Sequence, residues 1–167
     1  MNYLNIEEKK LLPVVLELNV LLADYNLYYQ KLRGFHWNIL GKNFFDLHVK
    51  FEELYNDAKT KIDEIAERIL TLQHHPASRL QEYLKLSDIE EVSSSSMKDT
   101  EMIEELLKDH VKILTQMKVI LKHSEEAGDE GTIDMIGAYI RELEKFSWML
   151  NAWSKSTSDN LDTSLIK

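Results

Sequence analysis

Five side chains of metal-binding type lie within one stretch of the sequence. They are two imidazoles and three carboxylates: His36, His48, Glu52, Asp63 and Glu67. Such a mixed nitrogen and oxygen donor set suits iron or manganese and also accepts zinc. Taken singly, acidic residues and histidines on a helix surface are usually solvated or engaged in surface ion pairs, as Glu67 could be with Arg68. The pattern of all five is therefore more informative than any one of them.

The last four of these residues are predicted to share one face of a single helix. His48 and Glu52 form a first pair and Asp63 and Glu67 a second, each spaced by four positions, so that the members of a pair stack. Around the helix axis, Glu52 and Asp63 point in nearly the same direction, and all four side chains fall within an arc of roughly 100°. The two pairs are about 22 Å apart along the helix axis. Metal–ligand bonds are only about 2 Å long, so each pair is half a site.

A second copy of the chain would bring the two half-sites together. Antiparallel packing of this helix against its copy, with a crossing near Asp57 and Ala58, places the first pair of one chain against the second pair of the other. One twofold dimer then completes two sites. His36 precedes the helix beside a predicted turn and is expected to add a second imidazole to the first pair.

Composition predicts one soluble domain. The chain has 167 residues, of which 44% are hydrophobic and 29% charged, and it contains only five Gly and two Pro. This content of turn formers is too low for an all-β fold. No apolar run reaches the roughly 18 residues of a membrane span, and Met1–Lys10 is too polar for a signal peptide. The absence of cysteine excludes disulfides and is compatible with the cytoplasmic location that we predict.

Helical periodicity predicts an all-α protein. Four long helices are expected at about residues 11–35, 43–72, 99–127 and 131–154, with a short helix at 78–86. Gly34 is expected to loosen the end of the first helix, and Asn43 is the predicted N-cap of the second. Short turns join the first two and the last two long helices, and a long crossover containing the short helix joins the second to the third. This connectivity is that of a ferritin-like four-helix bundle. The Glu-x-x-His motifs that form di-iron sites inside such bundles are missing from the sequence, which favours a site at an interface.

The sequence closely resembles the Dps family, the miniferritins also called DNA-binding proteins from starved cells. The resemblance covers essentially the whole chain, and its most specific parts are a His-Trp dipeptide and an Asp-x-x-Ala-Glu-Arg motif. The matching positions are Phe35-His36-Trp37-Asn38, Gly41, Phe44-Phe45, Leu47-His48, Glu52, Tyr55, Asp63-Glu64-Ile65-Ala66-Glu67-Arg68 and Lys145-Phe146-Ser147-Trp148-Met149-Leu150.

The resemblance implies a hollow homo-dodecamer of tetrahedral symmetry with di-iron ferroxidase centres at its twofold interfaces. It implies oxidation of Fe(II), preferably by hydrogen peroxide, and storage of the ferric mineral inside. His36, His48 and Glu52 would come from one subunit, and Asp63 and Glu67 from its twofold mate. The family pattern usually has Asp at the position of Glu52. Because Glu is one methylene longer with the same carboxylate, we expect Glu52 still to bind the metal, at an altered distance. Manganese or zinc could also occupy the site.

Three further residues receive weaker predictions. Trp37 follows His36 and could donate an electron to a stray oxidant, or it could be a packing residue at a helix end. By resemblance, acidic residues near the start of the last helix line iron-entry pores, and Asp134 is a better match than Asp129. Helix capping and the helix dipole explain both acids equally well.

A cluster of three tyrosines and one histidine of the third long helix are predicted to be structural. Tyr25, Tyr28 and Tyr29 are expected in the core or at an interface rather than in redox chemistry. His110 is expected on a face of the third long helix and not as a metal ligand.

DNA binding is predicted to be weak or absent. The net charge is −9, and an acidic surface repels phosphates while it attracts cations. Family members that condense DNA often use a Lys-rich tail, but Met1–Asn5 contains no basic residue and Ser154–Lys167 has two Lys against two Asp. The alternative function is that of a nucleoid protein that binds and protects DNA, in which the metal site would be incidental.

Overall fold

A computed structural model describes residues 3–155, and all regular structure within that range is helical. The helices are α1 (Glu8–Asn38), α2 (Phe44–Thr71), α3 (Leu80–Leu86), α4 (Asp99–Ala127) and α5 (Glu130–Trp153). The all-α prediction and the order of four long helices and one short helix are confirmed. Residues 1–2 and 156–167, which include most of the tail used in the DNA argument, lie outside the described residues.

The long helices form a bundle in which α1 contacts most of the other elements. It packs against α2 and α4 and also against the short α3, while α4 packs against α5. By length and composition alone α1 could cross a membrane, with a mean hydropathy of 1.3 over its most apolar window. That window is 56% buried inside the bundle. The apolar side chains of α1 are therefore accounted for by the protein core.

Polar groups of α1 anchor the crossover along its length. The Asn19 side chain accepts a hydrogen bond from the backbone near the start of the crossover, at 2.7 Å. Asp24 accepts one from the Ser87 hydroxyl at 2.8 Å, and the Gly34 carbonyl accepts one from the Ser94 hydroxyl at 3.1 Å. The Ser94 oxygen lies 3.3 Å from the point where a Cβ on Gly34 would stand. Gly34 therefore allows close packing of the crossover.

The first helix ends later than the sequence predicted. Gly34 was expected to loosen its end near Phe35, but the helix continues to Asn38, so His36 lies in its last turn. The turn that follows contains Gly41 at a φ of 99°, in the left-handed region that glycine tolerates. Asn43 occupies the predicted N-cap position of α2 without capping it, because its side chain donates to Asp99 at 2.6 Å.

Candidate metal centre

The last turn of α1 and the first turns of α2 bring His36 and His48 into contact. Their rings stack with centroids 3.7 Å apart and planes inclined by 23°. The Nδ1 atom of His36 lies 2.8 Å from the carbonyl oxygen of His48, and the Nδ1 atom of His48 lies 2.9 Å from the carbonyl oxygen of His36. A carbonyl oxygen only accepts, so each Nδ1 must carry the hydrogen. Both Nε2 atoms then hold free lone pairs, in the tautomer that binds a metal.

Aromatic side chains fix the orientation of the two imidazoles. Phe44 stacks on His48 with centroids 4.8 Å apart, and the ring of Tyr55 meets His36 edge-on at 5.4 Å. The imidazoles are therefore confined by contacts with rings as well as by their hydrogen bonds. Such support from surrounding groups sets the direction of a ligand before the metal arrives.

Glu52 follows His48 by one helical turn and is exposed. Its charge affects Tyr55, which follows on the same helix. Partial desolvation, then the negative charge of Glu52 and a hydrogen bond with its carboxylate, raise the pKa of the Tyr55 phenol. Tyr55 thus contacts both the imidazole and the carboxylate parts of the candidate half-site.

The second pair of predicted ligands lies farther along the same helix. Asp63 and Glu67 are exposed on α2, as the periodicity predicted. Within residues 3–155 no group of three or more His, Asp or Glu side chains is close enough to hold a metal ion. The structure therefore brings His36 and His48 together and leaves Asp63 and Glu67 apart from them. The pairing of the two halves across an interface stays a prediction.

A buried ion pair fixes the end of α2 next to Glu67. The Arg68 guanidinium pairs with Asp129, which is 1% exposed, and its Nε donates to the Thr132 hydroxyl at 3.0 Å. A Cβ on Gly131 would lie 2.8 Å from this guanidinium, so the glycine makes room for it. The sequence had offered Arg68 only as a surface partner of Glu67, and its bond to Asp129, 61 positions away, was missed.

The two acids at the start of α5 differ in placement. Asp129 is buried and accepts a hydrogen bond from the backbone N–H of Thr132 at 3.2 Å, so its capping role is confirmed. A side chain committed to a cap and to Arg68 is not free to line a pore, and the pore role of Asp129 is not supported. Asp134 is exposed. Its pore role stays a prediction.

Trp37 follows His36 and has a largely exposed side chain. It is 58% exposed, and the Arg33 guanidinium lies 4.8 Å from its ring centroid in a cation–π contact. Together with Tyr29 and the crossover, it lines a surface cleft of about 780 Å³. This placement is compatible with either predicted role, as an electron donor or as a packing residue at a helix end.

Comparison with known proteins gives consistent matches along the chain. A family model described as a ferritin-like domain matches residues 15–158. The chain is 40% identical to DNA protection during starvation protein 2 of Bacillus anthracis, over 84% of this chain and 95% of that protein. It is also 40% identical to the DNA protection during starvation protein of Porphyromonas gingivalis, over 89% and 93%.

A solved structure also superposes on the chain. The crystal structure of a Dps protein from Vibrio cholerae O1 matches with a TM-score of 0.89 and 44% identity, covering 93% of this chain and 97% of that one. That protein is described as a member of a broad superfamily of ferritin-like diiron-carboxylate proteins.

Proposed function

The chain belongs to the Dps family of ferritin-like proteins, and from that premise we propose that it is an iron-storage ferroxidase. It oxidises Fe(II) with hydrogen peroxide and holds the ferric product inside a shell of twelve subunits. The single observation that best supports this function is the stacked imidazole pair, because the hydrogen bonds of the two Nδ1 atoms leave both Nε2 atoms available to bind a metal.

The proposed site is shared between two chains. His36, His48 and Glu52 supply one half, and Asp63 and Glu67 of a second copy supply the other. The absence of a complete ligand cluster within residues 3–155 leaves this half-site with too few donors to hold two ions. Antiparallel packing of α2 on its copy supplies the missing carboxylates twice in each dimer.

The donor set fits iron as a substrate. Imidazoles and carboxylates bind Fe(II), and five side chains divided between two ions leave coordination positions open for peroxide. Two ferrous ions each give one electron, and peroxide takes both electrons and two protons to become two molecules of water. No hydroxyl radical is released when both electrons arrive together. Manganese or zinc would compete for the same ligands without supplying this reaction.

Charge favours uptake of iron over binding of DNA. The net charge of −9 raises the local concentration of cations, and we place this activity in the cytoplasm. Two relatives are called DNA protection proteins. Removal of ferrous iron and peroxide would protect DNA from oxidation without contact, so the name of these relatives is compatible with weak DNA binding.

Stopped-flow measurement of iron oxidation tests the proposal. With peroxide as the limiting reagent, wild-type protein should oxidise two Fe(II) per peroxide, and a spin trap should detect little hydroxyl radical. His36→Ala and Glu67→Ala should each abolish the rapid phase, whereas Glu104→Ala, which removes an exposed carboxylate on α4, should retain it. Equal rates in all four proteins would refute the assignment of the site.

The mass of the particle tests the shell. Twelve chains of 19.6 kDa should give a particle of about 235 kDa by light scattering. A stable monomer that still binds a full complement of iron would contradict both the shell and the shared site.

A further inference from the structure

A hydrogen-bonded row of three side chains crosses the bundle core, away from the candidate metal ligands. The Tyr28 hydroxyl on α1 lies 2.7 Å from Nε2 of His110 on α4. Nδ1 of His110 lies 2.7 Å from the Ser147 hydroxyl on α5, and that hydroxyl donates to the Leu143 carbonyl at 2.7 Å. Tyr28 and His110 are 2% and 1% exposed.

The direction of each hydrogen in this row is determined. The Leu143 carbonyl only accepts, so Ser147 must donate its hydroxyl hydrogen to it. The Ser147 oxygen then accepts from Nδ1–H of His110, and Nε2 of His110 keeps a lone pair. Burial lowers the pKa of His110 to about 3, so the imidazole is neutral at physiological pH. The Tyr28 phenol therefore donates to a free base.

A neighbouring tyrosine offers a contrast. Tyr25 is 1% exposed, and its ring meets that of Tyr28 edge-on at 6.2 Å. Its hydroxyl has no hydrogen-bond partner in the part of the chain that the structure describes. A phenol that loses an electron becomes a very strong acid, so its oxidation is favourable only when a base takes the proton. Tyr28 has such a base in His110, and Tyr25 has none.

Contrary to the expectation from the sequence, we propose that Tyr28 is a one-electron redox site, oxidised to a neutral phenoxyl radical as its proton moves to Nε2 of His110. Tyr29, the next residue in the chain, begins a series of ring contacts that ends at the candidate metal centre. Its ring lies 6.0 Å from that of Tyr55, and the ring of Tyr55 lies 5.4 Å from that of His36. We expect an electron from Tyr28 to cross the backbone to Tyr29 and then to follow these two ring contacts to His36.

The part that Tyr28 takes in iron oxidation rests on the proposed function. A single Fe(II) that meets peroxide alone gives Fe(III), hydroxide and a hydroxyl radical. Tyr28 supplies one electron, and the hydroxyl radical takes it with a proton from solvent to become water. The phenolic proton stays on His110. A further Fe(II) returns the electron, the proton moves back to the phenol, and Fe(III) is the product.

An iron-free assay tests the redox site itself. Azide radicals generated by pulse radiolysis would oxidise the metal-free, assembled protein, and electron paramagnetic resonance would follow the phenoxyl radical. We expect a slowly decaying phenoxyl radical. The hydrogen bond from His110 should lower its largest g value, and the hydrogen in that bond should exchange with deuterium. Tyr28→Phe should lose this signal, and the matched variant Tyr25→Phe should retain it.

A second variant separates loss of the radical from loss of the fold. His110→Gln preserves a hydrogen-bond acceptor near the phenol but removes the base, so the slowly decaying radical should be lost while circular dichroism and particle mass stay unchanged. Persistence of the same radical in Tyr28→Phe or in folded His110→Gln would overturn the proposal. Its equal loss in Tyr25→Phe would overturn it as well.

An assay with iron tests the connection to the metal centre. Addition of peroxide to protein loaded with less than one Fe(II) per site should produce the same radical, which extra Fe(II) should then remove. Absence of this radical, with iron oxidation intact, would overturn the connection. If the wild type oxidises no iron, the proposed function fails instead, and the azide assay still decides whether Tyr28 is a redox site.

Discussion

Mixed particles of two inactive variants test whether the metal site is shared between chains. His36→Ala damages the imidazole half of every site, and Glu67→Ala damages the carboxylate half. Each variant alone should lose rapid oxidation of Fe(II) by peroxide. A mixed dimer contains one chain of each variant. One of its two sites combines the damaged imidazole half with the damaged carboxylate half, and the other site combines the two intact halves. Activity should therefore return only in mixed dimers.

The recovered activity follows from symmetry. Random association of equal amounts of the two chains makes about half of the dimers mixed, and each mixed dimer keeps one of its two sites. The rapid phase should thus recover to about one quarter of its wild-type amplitude. Co-expression from one transcript would mix the chains before assembly, and mass spectrometry of the particles would give the actual ratio. Amplitude is the appropriate measure because each intact site should react at the wild-type rate.

A second mixture provides the control. His36→Ala and His48→Ala both damage the imidazole half, since the two rings stack in the same chain at 3.7 Å. Every site in their mixture has a damaged imidazole half, so no activity should return. If the first mixture also stays inactive, with mixed particles verified, the site is not shared as proposed. Recovery in both mixtures would show that the two imidazoles of one site come from different chains.

Three further predictions concern the rest of the molecule. Gly131→Ala should place a Cβ 2.8 Å from the Arg68 guanidinium. This flexible end of the Arg68 side chain must then shift, which weakens its ion pair with Asp129, and calorimetry should show a loss of about 1 kcal/mol. Gly137→Ala, whose Cβ would meet nothing within 4 Å, should be neutral or stabilising. Burial raises the pKa of Asp24 to about 6 from 3.8, which penalises the native carboxylate above that pH. Asp24→Asn should therefore be more stable than the wild type at about pH 8, by at most about 3 kcal/mol, and should unfold at a higher temperature there. The difference should shrink as the pH falls and vanish below about pH 3, where the carboxyl is protonated in both the native and the unfolded state; a constant difference would contradict this. Metal-free protein should not retard plasmid DNA at about 150 mM salt, where charges are screened beyond ~8 Å, and robust retardation would favour the nucleoid alternative.

The sequence predicted features that depend on spacing along one helix. The positions of His48, Glu52, Asp63 and Glu67 follow from the period of α2 alone, and the structure places all four on that single helix. The order of the helices followed from periodicity and from the few breakers between them. Local pattern was sufficient in both cases because the hydrogen bonds of a helix join residues that are close in the chain.

Features that depend on contacts between helices were missed. Gly34 was expected to loosen the end of α1, but Ser94, 60 positions away, packs against it and the helix continues. His110 was expected on a helix face, but it is buried between Tyr28 and Ser147, which lie 82 and 37 positions away. A single sequence gives no signal for such partners, because each residue has an ordinary alternative on a solvated surface.

The reciprocal hydrogen bonds between His36 and His48 have a consequence for the order in which the two halves of the site form. The two residues are only 12 positions apart, and short loops close early and at little entropic cost. A nascent chain can finish the imidazole half of the site as soon as the α1–α2 hairpin leaves the ribosome. In the proposed shared site, the carboxylate half arrives only when a second chain docks. Free subunits would then have no complete oxidation site, and iron chemistry would begin only after two chains have associated.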